Sequence, residues 1–133
     1  MRRRLTILVI AGAMVLTACG GSDSGDSGDS GSSETTTATP VGDPVRGEEL
    51  YKATCETCHG PAGEGIEGLG KPMPGSTFIA GQTDDGLIAF IKVGRPTSHA
   101  DNTTGVDMPA KGGNPALSDQ DIADIVAYIR TIN

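Results

Sequence analysis

The sequence predicts an all-α domain of about three main helices joined by long loops. Within residues 44–133, apolar side chains recur at three- and four-residue spacing in three separate stretches, as one face of a helix requires. No run alternates apolar and polar side chains as a half-buried strand would. The same 90 residues hold 13 Gly, 7 Pro and no Trp, so much of the domain is turn and loop.

The domain is short of side chains for a core of its own. Large aliphatic and Phe side chains occupy 18 of its 90 positions. A short chain of this composition needs apolar surface from another source to bury enough area. We therefore expect the long loops to wrap around a bound apolar group.

The first predicted helix starts at Asp43-Pro44, because Asp caps helix N-termini and Pro is tolerated in the first turn. Its apolar face leads directly into Cys55. This face consists of Val45, Gly47, Leu50, Tyr51 and Thr54.

Two more helices follow further along the chain. One is predicted to begin after Thr83 and to stop near Gly94 and Pro96. The last is the clearest, because Ser118 and Asp121 have the spacing of a capping box. The apolar stripe behind this box consists of Ile122, Ile125, Val126, Ile129 and Ile132.

Residues 1–18 have the pattern of an export signal, with a basic start at residues 2–4 and an apolar run over residues 5–16. Leu16-Thr17-Ala18-Cys19 resembles the lipobox of bacterial lipoproteins, in which the Cys is lipidated and becomes the first mature residue. The alternative is ordinary cleavage that leaves Cys19 as a stray thiol. The lipobox implies an exported protein anchored to a bacterial membrane by several acyl chains, facing the periplasm or the cell exterior.

Residues 19–43 are predicted to be a lipidated Cys followed by a disordered linker of Gly, Ser, Asp and Thr. As a flexible coil, the linker would have an end-to-end distance of roughly 25 to 30 Å. It either lets the domain swing between partners or is a plain spacer. Without its signal segment, the chain would carry 7 basic and 17 acidic residues, a net charge of −10 that argues against nucleic acid as a partner.

The five residues Cys55-Glu-Thr-Cys58-His59 have the attachment pattern of c-type haem. Each thiol adds to one porphyrin vinyl group, the two-residue spacing lets both sulfurs reach neighbouring vinyls, and the adjacent imidazole faces the iron. In a chain of this composition the pattern would arise by chance about once in a thousand cases. One covalent haem c is therefore the predicted cofactor.

Two other kinds of site use similar residues. Zinc needs four ligands, and only His99 and Cys19 remain to complete the set, away from finger-like spacing. A thiol–disulfide centre normally lies in a βαβ context, which this sequence lacks.

With this motif and a methionine before the capped last helix, residues 44–133 resemble a bacterial mono-haem class I cytochrome c over essentially their whole length. The resemblance implies the class I cytochrome c fold, with Cys55 and Cys58 as thioether residues and His59 as the proximal iron ligand. Met108, in the segment Met-Pro-Ala-Lys-Gly, matches the distal ligand.

The resemblance extends to four residues around the haem. Pro72, in Gly-Lys-Pro-Met, would accept the other imidazole proton through its carbonyl. Tyr128 would lie against the haem from the last helix. Gly47 and Tyr51 resemble the pair that lets the first and last helices cross closely.

Met73 and His99 are the alternatives to Met108 as sixth ligand. Met73 lies 14 residues after His59 and is expected to pack rather than to bind iron. His99 lies in a polar loop, residues 96–107, that is longer than the usual approach to the ligand methionine. A thioether ligand would give a higher reduction potential than a second imidazole.

Two functions are possible, depending on whether the sixth coordination position of the haem iron is occupied. With His59 and Met108 both bound, the iron has no open position, which makes the protein an electron carrier and not an enzyme. With Met108 absent or displaced, the protein would be a haem enzyme or a gas-binding haem protein. A carrier would serve redox partners such as a terminal oxidase, a photosynthetic reaction centre or a quinol-oxidising complex, or be a fixed subunit of one.

Four basic side chains fall on segments expected near the haem, and they are Lys71, Lys92, Arg95 and Lys111. They either form a docking patch for a partner or are ordinary solvated charges, with Arg95 a candidate partner of a haem propionate.

Overall fold

A computed structural model describes residues 40–133, and these residues form five α-helices, one 3₁₀ turn and no β-strand. The elements are α1 (Pro44–Thr54), α2 (Glu56–His59), α3 (Thr77–Gly81), α4 (Asp84–Val93), the 3₁₀ turn (Ala110–Gly113) and α5 (Asp119–Ile132). The all-α prediction is confirmed. The predicted signal segment, Cys19 and the linker up to residue 39 lie outside the described residues. Among those that are described, no helix is long and apolar enough to cross a membrane.

The three longest helices begin where the sequence predicts them. Asp43 Oδ1 accepts a hydrogen bond from the Val45 amide at 2.9 Å, which caps α1. Thr83 Oγ1 accepts one from the Gly86 amide at 3.1 Å, which caps α4. Side-chain caps at these starts replace the partners that the first backbone N–H groups of a helix lack.

Helix α1 crosses α5 at Gly47, and the crossing is so close that only glycine fits. A Cβ atom at position 47 would lie 1.9 Å from the Asp124 carbonyl oxygen. Tyr51, one turn later, is fully buried and donates a hydrogen bond from its hydroxyl to Gly60 O at 2.8 Å. The predicted close contact of the first and last helices is present. The hydrophobic core of the domain also includes Ile79, Leu87, Ile88, Ile91, Leu117, Ile122, Ile125, Val126 and Ile129.

A buried carboxylate on α5, Asp124, joins the start of the domain to its last helix. Asp124 is 1% exposed and accepts hydrogen bonds from the Asp43 amide at 2.9 Å and from Gln120 Nε2 at 2.8 Å. Arg46 Nε lies 3.0 Å from its other oxygen. A buried charge is tolerated when it is paired and hydrogen-bonded in this way. The Val41 carbonyl also accepts from Gln120 at 2.9 Å, so the last residues of the predicted linker already contact α5.

The capping box of α5 gives the protein an acid-sensitive contact. Asp121 accepts hydrogen bonds from the amide and hydroxyl of Ser118 at 2.9 and 2.7 Å and also pairs with Arg46. These hydrogen bonds, those from Ser118 first, lower the pKa of Asp121 from its usual 3.8 to about 2. A carboxyl with a lowered pKa in the folded state stabilises the fold above its unfolded pKa, and the contribution is lost as pH falls towards the folded value.

We therefore expect the free energy of unfolding to decrease between about pH 4 and pH 2 partly through Asp121. Asp121→Asn should reduce this decrease, because the side chain keeps its acceptor oxygen but no longer binds a proton. Denaturant unfolding followed by circular dichroism at several pH values measures it. Equal pH dependence in the variant and the wild type would contradict the assignment.

Candidate haem site

A cavity of about 490 Å³ opens inside the domain, within the roughly 300 to 1,000 Å³ range of ligand pockets. Its walls come from α2, α3, α4, α5, the segment before α3 and the long loop that precedes the 3₁₀ turn. The apolar part of the wall includes Ile79, Leu87, Phe90, Ile91, Ile125 and Ile129. The domain therefore contains a largely apolar pocket, as its shortage of core side chains leads us to expect.

Cys55, Cys58 and His59 all line this cavity. Cys55 joins α1 to α2, and the other two residues lie on α2, so the two cysteines are three residues apart across one turn. Both thiols are free in the structure. The sequence motif thus brings two thiols and an imidazole to the same apolar wall.

The surroundings of Cys55 do not favour thiol–disulfide chemistry. Burial, and secondarily the neighbouring Cys58, raise the pKa of the Cys55 thiol to about 11. Exchange reactions need a thiolate, and a thiol with so high a pKa stays protonated at neutral pH. Within residues 40–133, no three His, Cys, Asp or Glu side chains are grouped so that they could hold a metal ion.

The ring of His59 is oriented by a backbone carbonyl. His59 Nδ1 lies 3.0 Å from Lys71 O, and since a carbonyl only accepts, Nδ1 carries the proton. The other ring nitrogen, Nε2, is then the one with a free lone pair for a metal. The segment comes this close because position 70 is glycine, where a Cβ atom would lie 2.1 Å from Cys58 O.

The prediction that the Pro72 carbonyl orients His59 is wrong by one residue. The carbonyl that faces the ring belongs to Lys71, although Pro72 does line the cavity. A proline biases the residue before it towards an extended conformation, and successive carbonyls of extended chain point to opposite sides. An extended Lys71 would therefore direct its own carbonyl, and not that of Pro72, at the imidazole.

Of the three candidates for sixth ligand, the two methionines line the cavity and His99 does not. Met108 is held by two backbone hydrogen bonds with Arg95, of 2.8 and 3.0 Å. Met73 is 7% exposed and belongs to the core. The side chain of His99 is half-exposed, and its Nδ1 accepts a hydrogen bond from the Asp101 amide at 3.2 Å.

Tyr128 is not part of the cavity wall, and its contact with the haem stays a prediction. Its ring centroid lies 5.2 Å from that of Tyr51, in the contact between α1 and α5. Ile125 and Ile129 are four residues apart, so they share the face of α5 that meets the cavity. Tyr128 is one position off this face and follows Asp124 by one turn on the face towards α1.

The basic residues expected near the haem have different roles. Lys92 forms an ion pair with Asp119 at 2.9 Å and is not part of the cavity wall. Lys71 and Lys111 line the cavity, but Lys111 Nζ donates to Leu117 O at 2.6 Å and Lys71 Nζ to Asp101 O at 3.4 Å. Arg95 also lines the cavity and contacts two aromatic rings.

Sequence reasoning missed Phe78 and Phe90, which both line the cavity. Their rings contact each other edge to face at a centroid distance of 5.1 Å. The chain has only two Phe residues, and this scarcity was the one available signal. Large aromatic side chains in a domain with so little core are expected beside its apolar ligand.

The residues of the cavity fit a covalently bound haem. The donor set combines two thiols, an imidazole with Nε2 free and thioether sulfur, inside an apolar wall. Thr54 Oγ1, in the same wall, is buried and has no hydrogen-bond partner among the described residues. Buried hydroxyls normally have a partner, so we expect the bound group or a water beside it to supply one. A bound haem would supply a one-electron iron couple, and the residues of the cavity would position it.

A helical domain with a Cys-x-x-Cys-His turn on an apolar cavity defines a c-type cytochrome. Residues 44–133 match the family model described as cytochrome c. The chain belongs to the cytochrome c family and is a bacterial class I c-type cytochrome that binds haem c covalently and transfers electrons.

Curated relatives agree with this assignment. Cytochrome c-551 of Bacillus subtilis is 36% identical over 98 residues, which cover 71% of this chain and 79% of the relative. Cytochrome c-554(547) of Halothiobacillus neapolitanus is 33% identical over 93 residues, 69% of this chain and 99% of the relative. The cytochrome c subunit of alcohol dehydrogenase (quinone) from Gluconobacter oxydans is 34% identical over 89 residues, 63% of this chain but only 17% of the relative. No solved structure gives a significant match.

Proposed function

We propose that this cytochrome is a membrane-tethered carrier that passes single electrons between redox proteins. In this proposal Cys55 and Cys58 form the thioether bonds, and His59 and Met108 are the two axial iron ligands. The observation that supports the ligand pair is that both side chains line one cavity, with the imidazole already oriented by Lys71 O, whereas Met73, the other methionine of the wall, is buried in the core. An iron with both axial positions occupied changes oxidation state without binding a substrate, which favours a carrier over a haem enzyme or a gas-binding protein.

The tether is proposed from the sequence before the domain. Leu16-Thr17-Ala18-Cys19 supports lipidation at Cys19, export, and attachment to a membrane on its periplasmic or outer side. The contacts of residues 41–43 agree with such a tether. They meet Gln120, Ala123 and Asp124 on α5, whereas Ile125 and Ile129 of that helix line the cavity.

A second candidate is a fixed subunit of a larger oxidoreductase. Relatives that are cytochrome c subunits of alcohol dehydrogenase (quinone) favour this reading. Purification of the tethered protein in mild detergent separates the two. A carrier is recovered alone or with a substoichiometric oxidase, reaction centre or quinol-oxidising complex, whereas a subunit is recovered with constant partners in fixed ratio.

The tether is tested by Cys19→Ala. We expect the haem-containing protein to move from the membrane fraction to the soluble fraction, because the lipid is then absent and a single apolar signal of twelve residues is too short to span a bilayer. Haem staining of both fractions after a denaturing gel measures the shift. Ser22→Ala, three residues later, is the matched control and should stay with the membrane. A Cys19→Ala protein that remains membrane-bound would contradict lipid tethering.

A further inference from the structure

We propose that Arg95 is a positioning residue for Met108. Two phenylalanine rings fix the Arg95 side chain, and the Arg95 backbone holds Met108 in place. The inference rests on the proposed role of Met108 as an axial ligand and adds what fixes that ligand. We call Phe78, Arg95 and Phe90 the aromatic clamp.

The aromatic clamp is defined by two short contacts. The guanidinium carbon of Arg95 lies 4.7 Å from the Phe78 ring centroid and 4.8 Å from that of Phe90. Both distances are within the roughly 6 Å range of a cation–π contact. The two rings belong to α3 and α4, so the Arg95 side chain is fixed against two elements of the domain.

Hydrogen bonds link the backbone of Arg95, whose side chain is fixed in this way, to the backbone of Met108. Arg95 N donates to Met108 O at 2.8 Å, and Met108 N donates to Arg95 O at 3.0 Å. The two residues thus close the base of the 96–107 loop as an antiparallel bridge. A shift of the Arg95 backbone would displace Met108 with it.

The rest of the loop is bonded mainly to itself. Asn102 donates to Val106 O at 2.8 Å and to Arg95 O at 3.3 Å, and it accepts from the Gly105 amide at 3.0 Å. Across the loop, the Thr97 amide donates to Asp107. Among the described residues, the side-chain hydrogen bond that reaches the loop from outside is that from Lys71 Nζ to Asp101 O, at 3.4 Å. A loop that is internally bonded in this way is held in place chiefly at its base.

Arg95 also differs from the other basic side chains of residues 40–133. The six others each contact a protein oxygen, and they are Arg46, Lys52, Lys71, Lys92, Lys111 and Arg130. The Arg95 guanidinium instead lies over two aromatic rings. Its planar faces are suited to stacking in a way that a lysine ammonium is not.

The experiment measures how readily added imidazole displaces Met108 from the ferric full-length holoprotein. Phe90→Leu removes one ring of the clamp and keeps the Arg95 charge, and Arg95→Lys keeps the charge but removes the planar group. Each variant should bind imidazole about three- to tenfold more tightly than the wild type, the range that a cation–π contact of ordinary strength corresponds to. Lys92→Gln, which removes a nearby charge outside the clamp, is the matched control and should bind as the wild type does.

The combined Phe90→Leu, Arg95→Lys variant should bind imidazole little more tightly than either single variant, because the two changes break one contact. Wild-type imidazole affinity in both single variants would overturn the proposal. A change in Arg95→Lys with none in Phe90→Leu would also overturn it, since Arg95 would then act through a bond to the haem. If the ferric wild type shows no methionine-sulfur charge-transfer band, the ligand assignment itself fails, which is a separate result.

Discussion

Replacing Met108 with alanine is expected to lower the reduction potential of the holoprotein by about 0.2 V, a sizeable part of the roughly 0.8 V over which axial ligands tune haem. A thioether sulfur stabilises ferrous iron relative to a nitrogen or oxygen ligand, and alanine offers no donor atom. Met108 lines the cavity at the end of the bridge with Arg95 and is only partly buried against the core. Potentiometric titration followed by visible absorbance measures the change.

Met73→Leu is the matched control for this experiment. Met73 is the other methionine of the cavity wall, and we expect it to pack rather than to bind iron. Leucine conserves most of its volume, so the potential should stay close to the wild-type value. A large fall in Met73→Leu, with none in Met108→Ala, would reverse the assignment of the two methionines.

Replacing Gly47 with alanine is expected to lower the free energy of unfolding by about 3 kcal/mol, at the upper end for overpacking substitutions. The added Cβ atom would lie 1.9 Å from Asp124 O and 3.0 Å from Tyr128 Cβ, and the nearest of these atoms is backbone. The helices α1 and α5 would have to move apart. Because small domains have only about 5 to 15 kcal/mol of stability, the loss is a large fraction of the total.

Gly81→Ala is the control for the glycine substitution. Gly81 ends α3, has no positive φ and has no atom within 4 Å of an added Cβ. Its replacement should change the free energy of unfolding by less than about 0.5 kcal/mol. Denaturant unfolding of both holoproteins provides the comparison. A Gly47→Ala protein as stable as Gly81→Ala would show that the close crossing is not required.

The parts of the fold that could be predicted depend on local chemistry. Helices α1, α4 and α5 have capping side chains at Asp43, Thr83 and Ser118, and each cap is followed by apolar residues at helical spacing. Helix α3 has its own cap at Ser76 but only five residues, too few for a periodic pattern. The sequence therefore indicates the long helices and leaves the short one as loop.

The parts of the site that could not be predicted depend on contacts between distant segments. The carbonyl that orients His59 comes from Lys71 because the extended segment meets α2 in one particular register. From the sequence alone, a charged residue such as Asp124 is expected at the surface of α5. In the structure, residues 41–46 cover it. The aromatic clamp joins Arg95 to Phe78, 17 residues earlier in the chain, and no local sequence pattern predicts such a contact.

The near-infrared magnetic circular dichroism spectrum of the ferric full-length protein tests the central claim most directly. We propose a closed haem site with one imidazole and one thioether ligand, and this pair gives a charge-transfer band from methionine sulfur to iron. The band should be present in the wild type and in Met73→Leu and absent in Met108→Ala. A wild-type spectrum without it, with the signature of two imidazoles or of an open sixth position, would contradict the assignment of this cytochrome as a His–Met electron carrier.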